Sequence, residues 1–163
     1  FDGLSIRTST SQTIIDNIMA MGGRAVVMPL AEAYSAIQSN VIDGAGGPLT
    51  VYNNNRLYEV APYVLTDYMM PPDHLIISEQ TLAKMSPEDQ AILKRICREA
   101  ISYCYGEAAD SIDALTGQLE NMGVEFVFPD FGPFRQMCDE LIQTKANQSQ
   151  ITRAVYEMVL SSQ

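Results

Sequence analysis

The chain has 163 residues, a formal net charge of −10 and a hydrophobic content of 47%. That length suits one ordinary domain or one lobe of a larger protein, with enough apolar residues to build a core. The acidic excess argues against nucleic acid and anionic lipid headgroups as partners, and no apolar run approaches the ~20 residues of a membrane span.

Phe1-Asp2-Gly3 has neither the basic nor the apolar character of a secretory leader. The first strand begins within three residues of the start, so a fragment or a processed chain is expected. Residues 4–8 read as a strand. Within it stands Arg7, the only charged side chain between Asp2 and Asp16. The hydroxyl run Thr8-Ser9-Thr10-Ser11 follows. A helix is predicted from about Ser11 to Met21, with Ile14, Ile15, Ile18 and Met19 on one stripe. Gly22-Gly23 is expected to end it in a left-handed turn. A lone guanidinium at a strand end beside a helix start makes a candidate anion site. First-turn N–H groups lack intrahelical partners, and the arginine fork matches a carboxylate.

Ala25-Val26-Val27-Met28 is a short apolar strand suited to a parallel sheet covered on both faces, and Pro29 stops it. A helix is predicted from about Ala31 to Ser39, with Ala33, Tyr34 and Ile37 inward and Asn40 as its stop. Val41-Ile42-Asp43 reads as a third strand entering Gly44-Ala45-Gly46-Gly47. That glycine run fails the dinucleotide spacing G-x-G-x-x-G and reads as a tight turn. Pro48 suits the first position of a helix running to about Glu59. The β-α-β-α-β-α order implies crossover connections and a mostly parallel sheet, an α/β fold. In such sheets ligands bind outside the carboxyl ends of the strands. Arg7, Leu30, Gly46 and Gly47 all fall there.

Ala61–Met70 is apolar, rich in tyrosine and methionine, and interrupted by Pro71-Pro72. His74-Leu75-Ile76-Ile77-Ser78 reads as another strand. Ser86-Pro87-Glu88-Asp89 is a helix start: serine cap, proline first, acids in the first turn. Apolar spacing then continues to Met122-Gly123. This is either one helix of about 50 Å or two that break near Gly106. Val124–Phe128 reads as a strand ended by Pro129. Two last helices are expected, from about Pro133 to Ala146 and from about Gln150 to Leu160.

Cys97 and Cys104 lie two helical turns apart, about 10 Å, too far for a disulfide. A bridge from either to Cys138 stays open, but three buried free thiols are expected. His74, the only histidine, reads as structural. Asp67 and Asp73 read as solvated loop acids, Tyr68 and Met69-Met70 as either pocket lining or core. One histidine and dispersed acids make no metal set, and no cofactor is expected.

Several blocks carry a resemblance. They are Gly3-Leu4-Ser5-Ile6-Arg7, Val27-Met28-Pro29-Leu30-Ala31-Glu32-Ala33-Tyr34-Ser35-Ala36-Ile37-Gln38, and Val41-Ile42-Asp43-Gly44 with Pro48-Leu49. Leu57-Tyr58-Glu59-Val60, Leu75-Ile76-Ile77-Ser78 and Met85-Ser86-Pro87-Glu88-Asp89-Gln90 complete the set. With them the chain resembles the solute-binding subunits of tripartite ATP-independent periplasmic (TRAP) transporters, DctP type, over roughly the C-terminal half of a complete member.

The resemblance implies a type II-like periplasmic binding protein fold, two lobes with a long connecting helix, closing on an organic acid without catalysis. It places residues 1–65 and 123–163 in the C-terminal lobe, 66–105 in the N-terminal lobe and 106–122 in the connecting helix. It implies that Arg7 pairs with the ligand carboxylate, that Leu30 lines the pocket and that Tyr68 lies in the segment crossing near the cleft. Members commonly carry Gln-Glu-Asn-Pro where this chain has Ala45-Gly46-Gly47-Pro48. Gly47 stands at the asparagine position, so a side-chain donor is missing and the site is roomier there. The implied setting is the periplasm, with membrane permease subunits as partners. Taken alone, residues 66–105 would expose Leu75, Ile77, Ile92 and Ile96. A second copy of the chain, or the missing N-terminal half, is expected to cover them. The alternatives are a sensor domain for small carboxylates, or an α/β enzyme using a cysteine or His74. No nucleophile is paired with a base to support the latter.

Overall fold

A computed structural model describes residues 1–66 and 75–161. Tyr68, His74, Asp67, Asp73 and Met69-Met70 lie outside the described residues. The chain divides into two units, residues 1–66 with 124–163, and residues 67–123.

The first unit opens with strand β1 (Ser5–Thr8), helix α1 (Gln12–Ala20) and strand β2 (Arg24–Val27). Gly22 takes φ +86° after α1, and the Gly22 and Gly23 N–H groups bond back to Met19 and Ile18 carbonyls. This is the glycine stop expected from the sequence, because only glycine enters that conformation without steric cost. Of the predicted α1 stripe only Ile18 is fully buried, Ile14 and Ile15 are partly covered, and Met19 is exposed. The contact strip is therefore narrower than the apolar one.

A 3₁₀ turn at Leu30–Glu32 leads into α2 (Ala33–Gln38), and Asn40 stops it with φ 57°. Strand β3 is Gly44–Ala45, not Val41–Asp43. The ladder with β1 begins where Asp43 N–H donates to Ser5 O and ends where Gly46 N–H donates to Arg7 O. The glycine run expected to be a turn is thus the strand itself. Ile42 instead drops into the core while Val41 faces solvent. Helix α3 (Leu49–Asn54) is shorter than predicted. Arg56 adopts a left-handed conformation, φ 54°, and a 3₁₀ turn at Leu57–Glu59 follows.

The sheet order is β2-β1-β3, all parallel, with Arg7 between Val26 and Ala45. One face carries the core of Ala33, Ala36, Ile37, Ile42 and Leu57, against which Val26, Met28 and Ala45 pack. The expected cover on both faces is incomplete, since Arg24 and Val27 remain exposed. Strand β4 (Tyr63–Leu65) pairs in parallel with β5 (Glu125–Val127), joining the two stretches of the unit. Helix α6 (Gly132–Ala146) packs on α1, with Lys145 Nζ 2.5 Å from an Asp16 carboxylate oxygen. Helix α7 (Gln150–Ser161) closes the unit.

In the second unit Leu75–Ser78 forms no strand, because no described segment of that unit offers a ladder to join. A short helix α4 (Glu79–Leu82), capped by Ser78, was not anticipated. Helix α5 (Pro87–Asn121) runs unbroken through Gly106 for 35 residues. Ser86 Oγ accepts from Asp89 N–H at its start, 3.1 Å, as the local pattern required. All three cysteines are free thiols. Cys104 is exposed rather than buried, and Cys97 and Cys138 are half-buried. A polar, solvated helix does not bury every small apolar residue it carries.

Candidate functional site

Because β2, β1 and β3 run in parallel, their carboxyl ends meet at one edge of the sheet. Arg7 stands at the end of β1, Met28-Pro29-Leu30 continues β2, and Gly46-Gly47-Pro48 continues β3. Pairing with Val26 and Ala45 puts the Arg7 side chain on the face of the α2–α3 core, since neighbours across a parallel ladder share a face. The side chain is half-buried, and its Nε–H donates to Met28 O at 3.0 Å. Both terminal guanidinium nitrogens lack a hydrogen-bond or ion-pair partner among the described residues.

That arrangement is a clamp with one arm fixed. The bond to Met28 O orients the guanidinium plane, and the two terminal nitrogens form the fork that matches a carboxylate. Sequence reasoning missed the Met28 tie, because a main-chain carbonyl leaves no signature in side-chain identity. Leu30 begins the 3₁₀ turn and packs in part against the core. Gly46 is half-buried and Gly47 exposed at the end of β3. Tyr68 falls outside the described residues, so the structure brings together four of the five predicted residues at one sheet edge.

Thr8 is buried, and its Oγ1 has no partner among the described residues. Strand alternation turns it to the face opposite Arg7, so it does not belong to the same constellation. The Ser11 side chain makes no cap bond to α1, and the hydroxyl run contributes only a local contact, Ser11 N–H to Ser9 Oγ at 3.3 Å. Burial pushes the Cys138 thiol pKa up, with the Asp139 charge adding to it. A thiol held neutral in this way is a poor nucleophile. Among the described residues no three His, Cys, Asp or Glu side chains cluster as a metal site, and no helix is long and apolar enough to cross a membrane.

Residues 1–149 match the model of the bacterial extracellular solute-binding protein family 7, DctP. The chain belongs to this family. Its members bind solutes rather than transform them. A solute-binding protein of Roseobacter denitrificans is 29% identical over 161 residues, covering 98% of this chain and 49% of the relative. The sialic acid-binding periplasmic protein of Vibrio cholerae is 26% identical over 143 residues, covering 86% of this chain and 44% of its own length. Among solved structures, a TRAP periplasmic solute-binding protein from Anaerococcus prevotii with bound D-glucuronate superposes with a TM-score of 0.86. It is 27% identical, and the match covers 98% of this chain and 52% of that one. The DctP-family chain described here therefore spans about half the length of the relatives it matches, and its fold is that of TRAP periplasmic binding proteins.

Proposed function

We propose that this chain forms the carboxylate-gripping part of a periplasmic receptor that captures a small organic acid and delivers it to TRAP permease subunits. The observation that carries this reading is the Arg7 guanidinium, anchored through Nε to Met28 O with both terminal nitrogens unengaged at the carboxyl edge of a parallel sheet. The family match and the acids named for two relatives, sialic acid and D-glucuronate, support an acid of this kind. Leu30, Gly46, Gly47 and Tyr68 complete the proposed pocket.

In the same reading residues 1–65 and 123–163 make one lobe, 66–105 contribute to a second, and 106–122 are the connection. The unit of residues 67–123 leaves Leu75, Ile77, Ile92 and Ile96 exposed, in keeping with an apolar face that the N-terminal half, or a second copy of the chain, covers. A compact, monodisperse monomer of these 163 residues in light scattering would count against that cover.

Native mass spectrometry of the complete two-lobed protein as purified tests the central reading. The expected spectrum shows a noncovalent adduct that dissociates to leave a small anion of defined mass. A protein that retains no acid and binds none from a panel of sugar acids and short carboxylates would refute it.

A further inference from the structure

We propose that Arg56, Tyr58 and Tyr34 form the surface through which the first unit docks on the membrane permease, the guanidinium taking a carboxylate on the permease's periplasmic face; this rests on the receptor reading above. Arg56 stands between α3 and the Leu57–Glu59 turn with φ 54° and ψ 30°. Glycine takes that left-handed conformation freely, whereas a side chain strains it. What the fold gains from arginine there is small. The guanidinium pairs with a Glu59 carboxylate oxygen, but 68% of the side chain stays exposed. An exposed pair of this kind returns no more stability than the backbone conformation costs. The fold therefore favours glycine at position 56, and the arginine serves a contact outside the unit.

The surroundings are held in place for such a contact. The other Glu59 carboxylate oxygen accepts from the Tyr34 hydroxyl at 2.8 Å, and the Tyr58 hydroxyl lies beside the guanidinium. The Tyr58 ring meets Tyr52 edge-on, centroids 6.4 Å apart, and the Tyr52 hydroxyl is tied to Ala61 O at 2.8 Å. Arginine and tyrosine are enriched among the side chains that dominate protein interfaces, and rotamers fixed beforehand lower the entropy lost on docking. Charge selects the group that docks. Arg56 is the only lysine or arginine from Ala25 to Ala83, against six acids, so this stretch repels a carboxylate everywhere but at the guanidinium. Placement selects the permease. Tyr34 lies on α2, which continues from the Leu30 turn, and Arg56 lies past α3, which continues from Gly46-Gly47-Pro48. The Tyr34–Glu59–Arg56 chain thus ties together the two segments that leave the candidate site, and a partner seated on it touches both. The partner whose task depends on that site is the permease that takes the acid.

The test measures binding of the complete protein to its permease subunits in lipid nanodiscs by biolayer interferometry, beside thermal melts and native mass spectra. Arg56→Gly suits the left-handed backbone and is expected to melt no lower than the unaltered protein, and to retain the same acid. It should weaken permease binding by about tenfold or more. Arg153→Gln, which removes an exposed arginine on α7, should change it by less than about twofold. Unchanged permease affinity in Arg56→Gly, or no binding by the unaltered protein, would overturn the proposal and leave the receptor reading standing. Equal losses in the two variants would also overturn it, since that pattern reports bulk charge alone. So would a lower melt of Arg56→Gly, which marks a staple of the fold, or loss of the acid, which marks a pocket residue. If the unaltered protein retains no acid and binds none from the panel of sugar acids and short carboxylates, the receptor reading falls and this inference with it.

Discussion

Replacing Arg7 separates its three contributions. The guanidinium has five N–H donors. Nε–H is committed to Met28 O at 3.0 Å, so a carboxylate must approach end-on, across the two terminal nitrogens. Arg7→Ala removes the charge, the fork and the tie to Met28. A hydrogen bond to a charged group contributes about 1.5–3 kcal/mol, so the acid should bind roughly 10- to 150-fold more weakly. Arg7→Lys keeps the charge but offers a point donor without a planar fork, and it loses the Nε anchor. Its affinity should fall between the two. Met28 is only half-buried, so water can replace the lost donor, and stability should drop by no more than about 1 kcal/mol. Isothermal titration of the complete protein with its acid, beside thermal melts of each variant, measures both effects. If Arg7→Ala binds with unaltered affinity, or Arg7→Lys matches arginine, the end-on fork is not the contact.

Ile42 is 2% exposed within the α2 core, and Ile42→Ala should destabilise the protein by about 2–5 kcal/mol in urea denaturation, from lost burial and the cavity left behind. The Asp16 carboxyl is held below its ordinary pKa, first by its hydrogen bond to Lys145 and then by Gln12. A depressed folded-state pKa gives stability that is present above the unfolded value and lost as pH falls through the folded one. Asp16→Asn should therefore flatten the acid limb of the melting-temperature profile below about pH 4. The Tyr52 hydroxyl donates to Ala61 O at 2.8 Å, and burial pushes its pKa up to about 12. A raised value gives stability fully present below the unfolded pKa and lost as pH climbs from about 10 toward 12. Spectrophotometric phenolate titration should show a late-ionising component near pH 12 that is lost in Tyr52→Phe.

Features with local causes were legible in the sequence. The Ser86 cap, the Gly22 reversal and the Asn40 stop each follow from what one or two residues do to their own backbone. The parallel sheet was legible too, because the alternation of short apolar runs with helices leaves few other connections. What escaped was set by partners distant in sequence. Val41-Ile42 has strand-like composition, yet the ladder lies two residues on, where Asp43 and Gly46 meet Ser5 and Arg7. Leu75-Ile76-Ile77 has the same composition and finds no strand to join among the described residues. Arg56, left-handed without being glycine, broke a helix that its apolar spacing extended. At the candidate site, Arg7 was recognisable as an isolated charge at a strand end. Its anchor was not, since any residue at position 28 supplies the same carbonyl.

The pairing of β4 with β5 gives the first unit a discontinuous origin, because Tyr63–Leu65 and Glu125–Val127 stand on either side of residues 67–123. During synthesis the β2-β1-β3 sheet can assemble as soon as its strands leave the ribosome. The β4–β5 ladder and the α1–α6 contact must wait for the later stretch. Closing so long a connection costs entropy that grows only with the logarithm of its length. The delay therefore bears on the rate of maturation far more than on the final stability, because the β4–β5 ladder cannot form until translation passes Val127.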